Sequence, residues 1–303
     1  MGSDACFRMG STHQICQDYA IAGAHEGLPY AILSDGCSGV HTPDEPGSPF
    51  TDFGARFLVR VASLGMRRTI SGGLPRRVES DVEWLNGELT HIDGENLVSE
   101  AYRVARQAGL YRRALDATLL RAVQRPDGTV VVHQAGDGVI AARRRDSGSI
   151  TYYTTKFGNN MPYYLSYLLD LPERRRYFEL AGTVEVSTGV LSKEGFDQGF
   201  GGWTDETTVT TPLDAAPIFQ KYVFGPEYDL VLIMSDGAES FQDQEGQVVP
   251  VGAIVKQLFE VKSFEGEFLI RRCNKFLSRF CAERGWKHTD DFSVAGIHMK
   301  GTP

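Results

Sequence analysis

Four short acidic segments, Gln17-Asp18-Tyr19, Ser34-Asp35-Gly36, Ser235-Asp236-Gly237 and Thr289-Asp290-Asp291, each place an aspartate at the end of an apolar, strand-like run. A strand end followed by a tight turn is where a fold can aim several carboxylates at one point. Carboxylates gathered that way repel one another by roughly 4 kcal/mol per pair at about 4 Å and an effective dielectric constant of about 20. They stay ionised and close only if something positive sits between them. Hard oxygen ligands with no accompanying Cys/His cluster point to Mg²⁺ or Mn²⁺. The pattern reads as a carboxylate-held metal site with more than one ion.

The bulk of the chain permits such a site and excludes several alternatives. Its 303 residues are enough for one large domain or two small ones, and 42% apolar with 23% charged residues is ordinary for a soluble globular protein. The formal net charge of −8 argues against nucleic acid as a partner, since no basic stripe offsets it. The short runs Arg143-Arg144-Arg145 and Arg174-Arg175-Arg176 read as solvated strand or helix ends, with contact to an anionic substrate as the alternative. No stretch approaches about 18 consecutive apolar residues, so no membrane span is expected. The N-terminus lacks a basic region followed by an apolar one, so no signal peptide is expected. Five cysteines (Cys6, Cys16, Cys37, Cys273, Cys281) without a CxxC pair fit a reducing cytoplasm and argue against structural zinc.

Hydrophobic patterning sets out the elements. Asp18–Ala22 and Tyr30–Ser34 read as strands joined by a turn containing Gly23 and Gly27. A Pro- and Gly-rich loop runs from Gly36 to Ser48. Asp52 is a candidate cap for a helix whose Phe53, Phe57, Val61 and Leu64 recur at helical spacing on one buried face. Ser71–Leu74 reads as a turn and Val78–Leu89 as a short helix. Glu95–Gln107 reads as another, with Leu97, Ala101, Val104 and Ala105 inward. Ala117–Ala122, Thr129–Ala135, Val139–Arg143 and Ile150–Thr154 are candidate strands, with hairpin signals at Asp127-Gly128 and Gly136-Asp137-Gly138. The second signal puts a fifth aspartate at a turn. Residues 156–227, which hold Gly158-Asn159-Asn160, the aromatic run at Tyr163, Tyr164 and Tyr167, and the Gly-rich Gly199–Trp203, break this rhythm and read as an inserted flap. The alternative is that Tyr163, Leu165, Leu168 and Leu171 pack onto the main domain. Asp229–Met234 is a strand. Val251–Val261 and Phe264–Arg284 are helices, the latter with Leu269, Cys273, Phe276, Leu277 and Phe280 on one face. Phe292–Met299 closes the chain as a strand. The elements do not alternate as βαβ, which favours an α+β sandwich of mostly antiparallel sheets.

The aspartates at 18, 35, 236 and 290 become one site only if distant strand ends meet. In that order the segments resemble the metal-dependent type 2C protein serine/threonine phosphatases. Cys16-Gln17-Asp18-Tyr19-Ala20 looks like the first acidic motif. Tyr30–Gly36, followed by Gly54-Ala55-Arg56, looks like the second. Asp116-Ala117-Thr118 resembles a strand start in mid-domain, and Ala135–Gly138 resembles a Gly-Asp-Ser hairpin. Leu230–Gly237 and Asp290–Val294 resemble the last two motifs. Each is weak alone, because Asp-Gly is a common turn. Six in the correct order, over roughly residues 10–298, are specific. Gly10-Ser11-Thr12-His13 before Cys16-Gln17-Asp18 looks closest to a bacterial branch.

The resemblance implies a single domain over residues 1–303, with the flap at about 156–227. It implies a four-layer α-β-β-α sandwich of two mostly antiparallel sheets flanked by helices. It implies a cytoplasmic signalling hydrolase for phosphoserine and phosphothreonine in proteins, working by direct attack of a metal-bridging water. Two Mn²⁺ or Mg²⁺ ions are implied. Asp35 would bridge them, the Gly36 carbonyl would add a ligand, and Asp236 and Asp290 would complete the other ion. Asp18 would bind through water or stand behind the ligands. Asp137 would hold a third, weaker ion. His13 stands near the place where other branches have an arginine for the substrate phosphate. Its alternative is a loop histidine bonded to nearby backbone. Asp291 stands where many relatives have Asn and ranks as supporting.

Three positions depart from the pattern. Gln17 replaces a glutamate of some relatives. Cys37 replaces a histidine proposed as general acid, and Ser240 replaces another aspartate. They motivate two alternatives to the protein phosphatase: a catalytically weakened binding or regulatory module, and a phosphatase for a small phosphorylated molecule. Partners implied are phosphorylated protein, with no nucleic acid and no membrane.

Overall fold

The computed structural model describes residues 2–37, 50–70, 91–192, 207–213, 216–217 and 219–299. Strands β2 (Tyr19–His25) and β3 (Leu28–Ser34) pair antiparallel around Glu26-Gly27. Both turn residues have positive φ, 49° and 80°. That two-residue geometry matches the twist of paired strands, and glycine adopts it without a Cβ penalty. Gly23, expected in the turn, is inside β2 opposite Tyr30. A strand not foreseen from sequence, β1 (Gly2–Arg8), precedes them. It carries Asp4. The fold buries it, and its carboxylate accepts from the backbone N–H groups of Leu269 at 2.6 Å and Ile270 at 3.1 Å.

Two antiparallel sheets form the centre. The smaller contains β2, β3, β4 (Leu119–Gln124), β5 (Val130–Ala135) and β10 (Gln220–Phe224), in the order β10-β5-β4-β3-β2. The larger contains β1, β6 (Gly138–Arg144), β7 (Ile150–Phe157), β8 (Thr183–Leu191), β9 (Thr207–Pro212), β11 (Tyr228–Met234) and β14 (Phe292–His298). Its order is β1-β14-β11-β6-β7-β8-β9. A two-stranded pair, β12 (Phe241–Gln242) with β13 (Lys287–His288), stands beside it. Gly136-Asp137-Gly138 is a turn but not a hairpin. β5 and β6 belong to different sheets, so this turn carries the chain across the sandwich. A turn signal specifies a reversal and not the partner of the strand that follows.

Helices cover both outer faces, which gives the four-layer α+β arrangement. Helices α1 (Thr51–Ile70) and α2 (His91–Gln107) pack on the five-stranded sheet around Ile32, Leu58, Val98 and Leu119. Helices α4 (Val251–Phe259) and α5 (Phe268–Lys275) pack on the seven-stranded sheet around Leu232, Ile254, Leu269 and Phe276. A third core lies between the sheets, with Leu33, Leu120, Val132, Ile140, Val231 and Ile297. The chain after α5 runs through a widened π-helical turn, Phe276–Cys281. This keeps Phe276 buried while Leu277 and Phe280 lie at the core margin.

The inward face of α1 differs from expectation. Ala55, Leu58, Val59 and Ala62 are fully buried, Phe57 and Val61 are partly so, and Phe53 (47%) and Leu64 (44%) are exposed. Helix α1 approaches so closely that a Cβ on Gly54 would lie 1.4 Å from the Ala114 carbonyl oxygen. Small residues permit that approach, and bulk alone points to the wrong face. Asp52 lies within the first turn of α1, where a carboxylate complements the helix dipole.

Residues 156–227 are built into the layers where they are described. β8 and β9 extend one sheet and β10 edges the other. Helix α3 (Leu171–Ala181) is capped by Asp170, which accepts from the Glu173 N–H. Tyr163, Leu165 and Leu168 are buried against α1 and α2, whereas Leu171 is 60% exposed. The readings for Ser71–Leu74, Val78–Leu89, Gly199–Trp203 and most of Gly36–Ser48 lie outside the described residues.

Candidate metal centre

Asp35 and Asp236 follow the ends of β3 and β11 and Asp290 follows β13, whereas Asp18, expected at the end of a strand, stands just before β2; backbone bonds pull these distant segments together. The Gly36 N–H donates to the Gln17 carbonyl at 3.3 Å, which ties the first acidic segment to the second. The Asp35 N–H donates to Thr118 Oγ1 at 3.1 Å, and the Thr118 N–H donates to the Asp35 carbonyl at 2.8 Å. The Ser235 N–H donates to the Ser293 carbonyl at 3.1 Å, and a Cβ on Gly237 would lie 1.7 Å from the Asp291 carbonyl oxygen. The third and fourth acidic turns are therefore in backbone contact, which only glycine at 237 allows.

Asp18, Asp35 and Asp236 converge. Asp18 is 1% exposed. Its Oδ2 accepts from Ser235 Oγ at 2.7 Å, and that same Oγ accepts from the Ser293 N–H at 3.0 Å. The Asp35 side chain lies beside those of Asp18 and Asp236. All three titrate upward. Burial is the main cause for each. For Asp18 the Asp236 charge adds, offset by the neighbouring Asp35, Ser235 and Ser293 side chains. For Asp35 the charges of Asp18 and Asp236 add. For Asp236 the bond to Asp35 pulls down and the Asp290 charge pushes up. Asp137 is 7% exposed and also raised, by burial first and then by Asp236, Glu239 and Asp290. Five aspartates thus share one electrostatic environment.

The donor set suits divalent ions of the Mg²⁺ and Mn²⁺ kind. Asp18 Oδ1 and Asp236 Oδ1 are buried and reached by no hydrogen-bond donor. Buried acceptors without partners are rare in proteins. Among the described residues no three His, Cys, Asp or Glu side chains already stand in a coordinating arrangement. The fit is therefore one of chemistry: oxygen ligands only, excess negative charge, and orphaned lone pairs at one point.

Asp290 stands at the rim. Its side chain is 42% exposed, and its Oδ1 accepts from the Asp291 N–H at 2.8 Å. The Asp290 N–H donates to Ser240 Oγ at 3.2 Å, so Ser240 supports this loop. Asp291 is deeper than its supporting rank implied. Its Oδ1 accepts from the Gly10 N–H at 2.7 Å and its Oδ2 from the Gln17 N–H at 2.5 Å. His13 completes this corner, with Nε2 3.3 Å from Asp290 Oδ1 and Nδ1 3.0 Å from Asp291 Oδ2. Burial lowers its pKa, but the Asp291 bond and the charges of Asp291, Asp290 and Asp18 outweigh it and the net shift is upward.

The two remaining departures have structural explanations. The Gln17 amide donates to Thr51 Oγ1 at 2.9 Å and to the Cys37 carbonyl at 3.4 Å, which fastens the start of α1 to the site. Burial pushes the Cys37 thiol up, Asp116 and Asp137 add to this, and a Tyr164 bond opposes it. Cys37 is therefore protonated at neutral pH, which leaves no thiolate nucleophile there. The supporting roles of Ser235, Ser293 and Thr118 escaped the sequence reading. Their importance rests on partners up to 217 positions away, a separation that carries no local signal.

The family model described as protein phosphatase 2C matches residues 10–157, a span that holds Asp18, Asp35 and Asp137. No curated protein matches the chain. Among solved structures, a point-mutant form of a bacterial serine phosphatase is 11% identical, with a TM-score of 0.55, covering 100% of this chain and 99% of its own. The serine/threonine phosphatase Stp1 from Staphylococcus aureus is 12% identical, with a TM-score of 0.53 and coverage of 99% and 95%. Serine-threonine phosphatase 2C from Toxoplasma gondii is 12% identical, with a TM-score of 0.51 and coverage of 98% and 94%. At these identities the likeness is one of fold. Over residues 10–157 the chain matches the protein phosphatase 2C family model, and over its whole length it shares the fold of the solved phosphatases of that type.

Proposed function

We propose that this protein is a Mg²⁺- or Mn²⁺-dependent phosphatase acting on phosphoserine and phosphothreonine in proteins. The observation that carries the reading is the buried contact of Asp18, Asp35 and Asp236 with two orphaned carboxylate oxygens. Asp35, the Gly36 carbonyl, Asp236 and Asp290 would hold two ions, with Asp18 behind them and Asp137 toward a third. When bound, such ions supply a nucleophilic oxygen at neutral pH and neutralise charge on the transferring phosphoryl group.

The chain's own groups do the positioning. Ser235 holds Asp18 in one orientation, and Thr118 holds the Asp35 backbone. Asp291 locks Gly10 and Gln17, which sets the loop carrying His13 against the Asp290 rim. His13 stands at that rim and is the candidate contact for a substrate phosphate, in exchange for its contact with Asp290. Cys37 contributes no thiolate.

The test is hydrolysis of para-nitrophenyl phosphate and a phosphothreonine peptide with EDTA, Mg²⁺ or Mn²⁺. Turnover is expected only with metal, with a loss of about 100-fold or more in Asp35→Ala and Asp236→Ala. Metal-dependent activity in either variant equal to wild type would sink the reading. A folded, metal-binding wild type without turnover would favour a phosphoprotein-binding module, the alternative that Gln17, Cys37 and Ser240 motivate.

A further inference from the structure

A cavity of about 80 Å³ opens where the ends of the two sheets meet beneath α3. Gln134 on β5 and its ladder partner Gln220 on β10 form one side, and Phe157 on β7 with Val184 on β8 forms another. Tyr163, Arg174 and Phe178 close it from above. None of the residues assigned to the metal centre lines it, but Gly136, which leads into Asp137, does.

Its polar groups are unbalanced. Gln134 is 1% exposed, and its Nε2 has no hydrogen-bond partner. Tyr163 is 4% exposed, and its hydroxyl also has none. Buried donors are seldom left unpaired, and these two stand at one cavity. The acceptor side is committed. Gln220 Oε1 accepts from Tyr222 Oη at 2.8 Å and from Thr155 Oγ1 at 3.2 Å, and Gln134 Oε1 accepts from Thr155 Oγ1 at 3.4 Å. Arg174 adds a cation whose guanidinium stands 5.6 Å over the Phe178 ring. It is the first residue of the arginine run singled out in the sequence. Its field reaches the Tyr163 phenol, as does that of Glu95 outside the cavity wall. What the cavity lacks is an acceptor, preferably anionic, attached to something apolar enough for Phe157, Val184 and Leu213.

We propose that this cavity is a second ligand site, distinct from the metal centre, that takes a small carboxylate with a short apolar body. The carboxylate oxygens accept from the Gln134 amide, the Tyr163 hydroxyl and Arg174, and the body lies against the apolar walls. The occupant touches Gly136 and so reports at the turn that carries Asp137. This does not depend on phosphatase activity.

The test uses the full ¹⁵N-labelled chain titrated with benzoate, or with benzamide as a neutral isostere, at constant ionic strength. Saturable shifts are expected at the Gln134 side-chain amide and the Gly136 backbone amide. Benzamide should bind about tenfold or more weakly than benzoate. Arg174→Met, at a half-exposed position that should not impair folding, should weaken benzoate by a similar factor. Gln134→Leu should do the same if its melting curve shows a folded chain. Shifts that never saturate, equal affinity for benzoate and benzamide, or benzoate binding unchanged in Arg174→Met would each overturn the assignment.

Discussion

At the scale of single residues, the site is a conflict held in place by packing. Asp18, Asp35 and Asp236 titrate above their ordinary value, so the native chain without metal binds more protons than the unfolded chain. Stability of the metal-free protein should therefore fall as pH rises from the ordinary carboxylate value of 3.8 toward about 7, the value for Asp18. Thermal melts in EDTA across that range should show this decline, and Asp35→Asn should flatten it. Mn²⁺ should raise the melting temperature of wild type at neutral pH and do so far less in the variant. A metal-free Asp35→Asn protein less stable than wild type at neutral pH would show that these carboxylates are not in conflict. Asp291 is a structural support, since it accepts from two backbone N–H groups and lies 3.0 Å from His13 Nδ1. Asp291→Ala leaves those donors unpaired and should cost about 2–4 kcal/mol in denaturant unfolding. Asp291→Asn should cost less, because its amide oxygen still accepts.

At the scale of elements, close approach matters as much as hydrophobic area. Helix α1 is seated by Gly54 against the Ala114 carbonyl, with no room for a methyl group. Gly54→Ala should destabilise by about 1–3 kcal/mol or more and shift α1, whose Thr51 is bonded to Gln17. Urea unfolding measures the first effect, and metal affinity by calorimetry measures the second. On the opposite side, Phe241 is fully buried and packs edge-on to Phe292 with centroids 5.5 Å apart. Phe241→Ala should cost about 3–5 kcal/mol. Because β12 follows the Asp236 turn and pairs with β13 just before Asp290, that loss should also weaken metal binding.

At the scale of the whole molecule, the two sheets and the core between them bring residues near both ends of the chain to one point. β14 is paired on both sides, by β1 and β11, and β11 is paired with β14 and β6. β9, at the sheet edge, is almost wholly exposed. Hydrogen exchange should therefore be slowest in β11 and β14 and fast in β9. Protection of β9 equal to that of β14 would contradict this order. Among the described residues no helix is long and apolar enough to cross a membrane.

The sequence by itself determined β2 to β7, β11 and β14 and the helices after Met234. Each of these is written locally, as an apolar run of fixed period bounded by turn or cap residues. Periodicity could not choose the face of α1, because a helix packed at near-contact distance buries alanine and glycine in place of phenylalanine. It did not foresee β1, whose Asp4 satisfies the start of α5. Nor could the Gly136–Gly138 turn disclose that it crosses between sheets, since turn chemistry specifies a reversal and not a partner. Tertiary structure alone decided that Ser235 orients Asp18, that Asp291 holds Gly10 and Gln17, and that Gln134, Tyr163 and Arg174 face one cavity. Those relations join positions far apart in the chain, and no local pattern of residues can encode a distance that only folding creates.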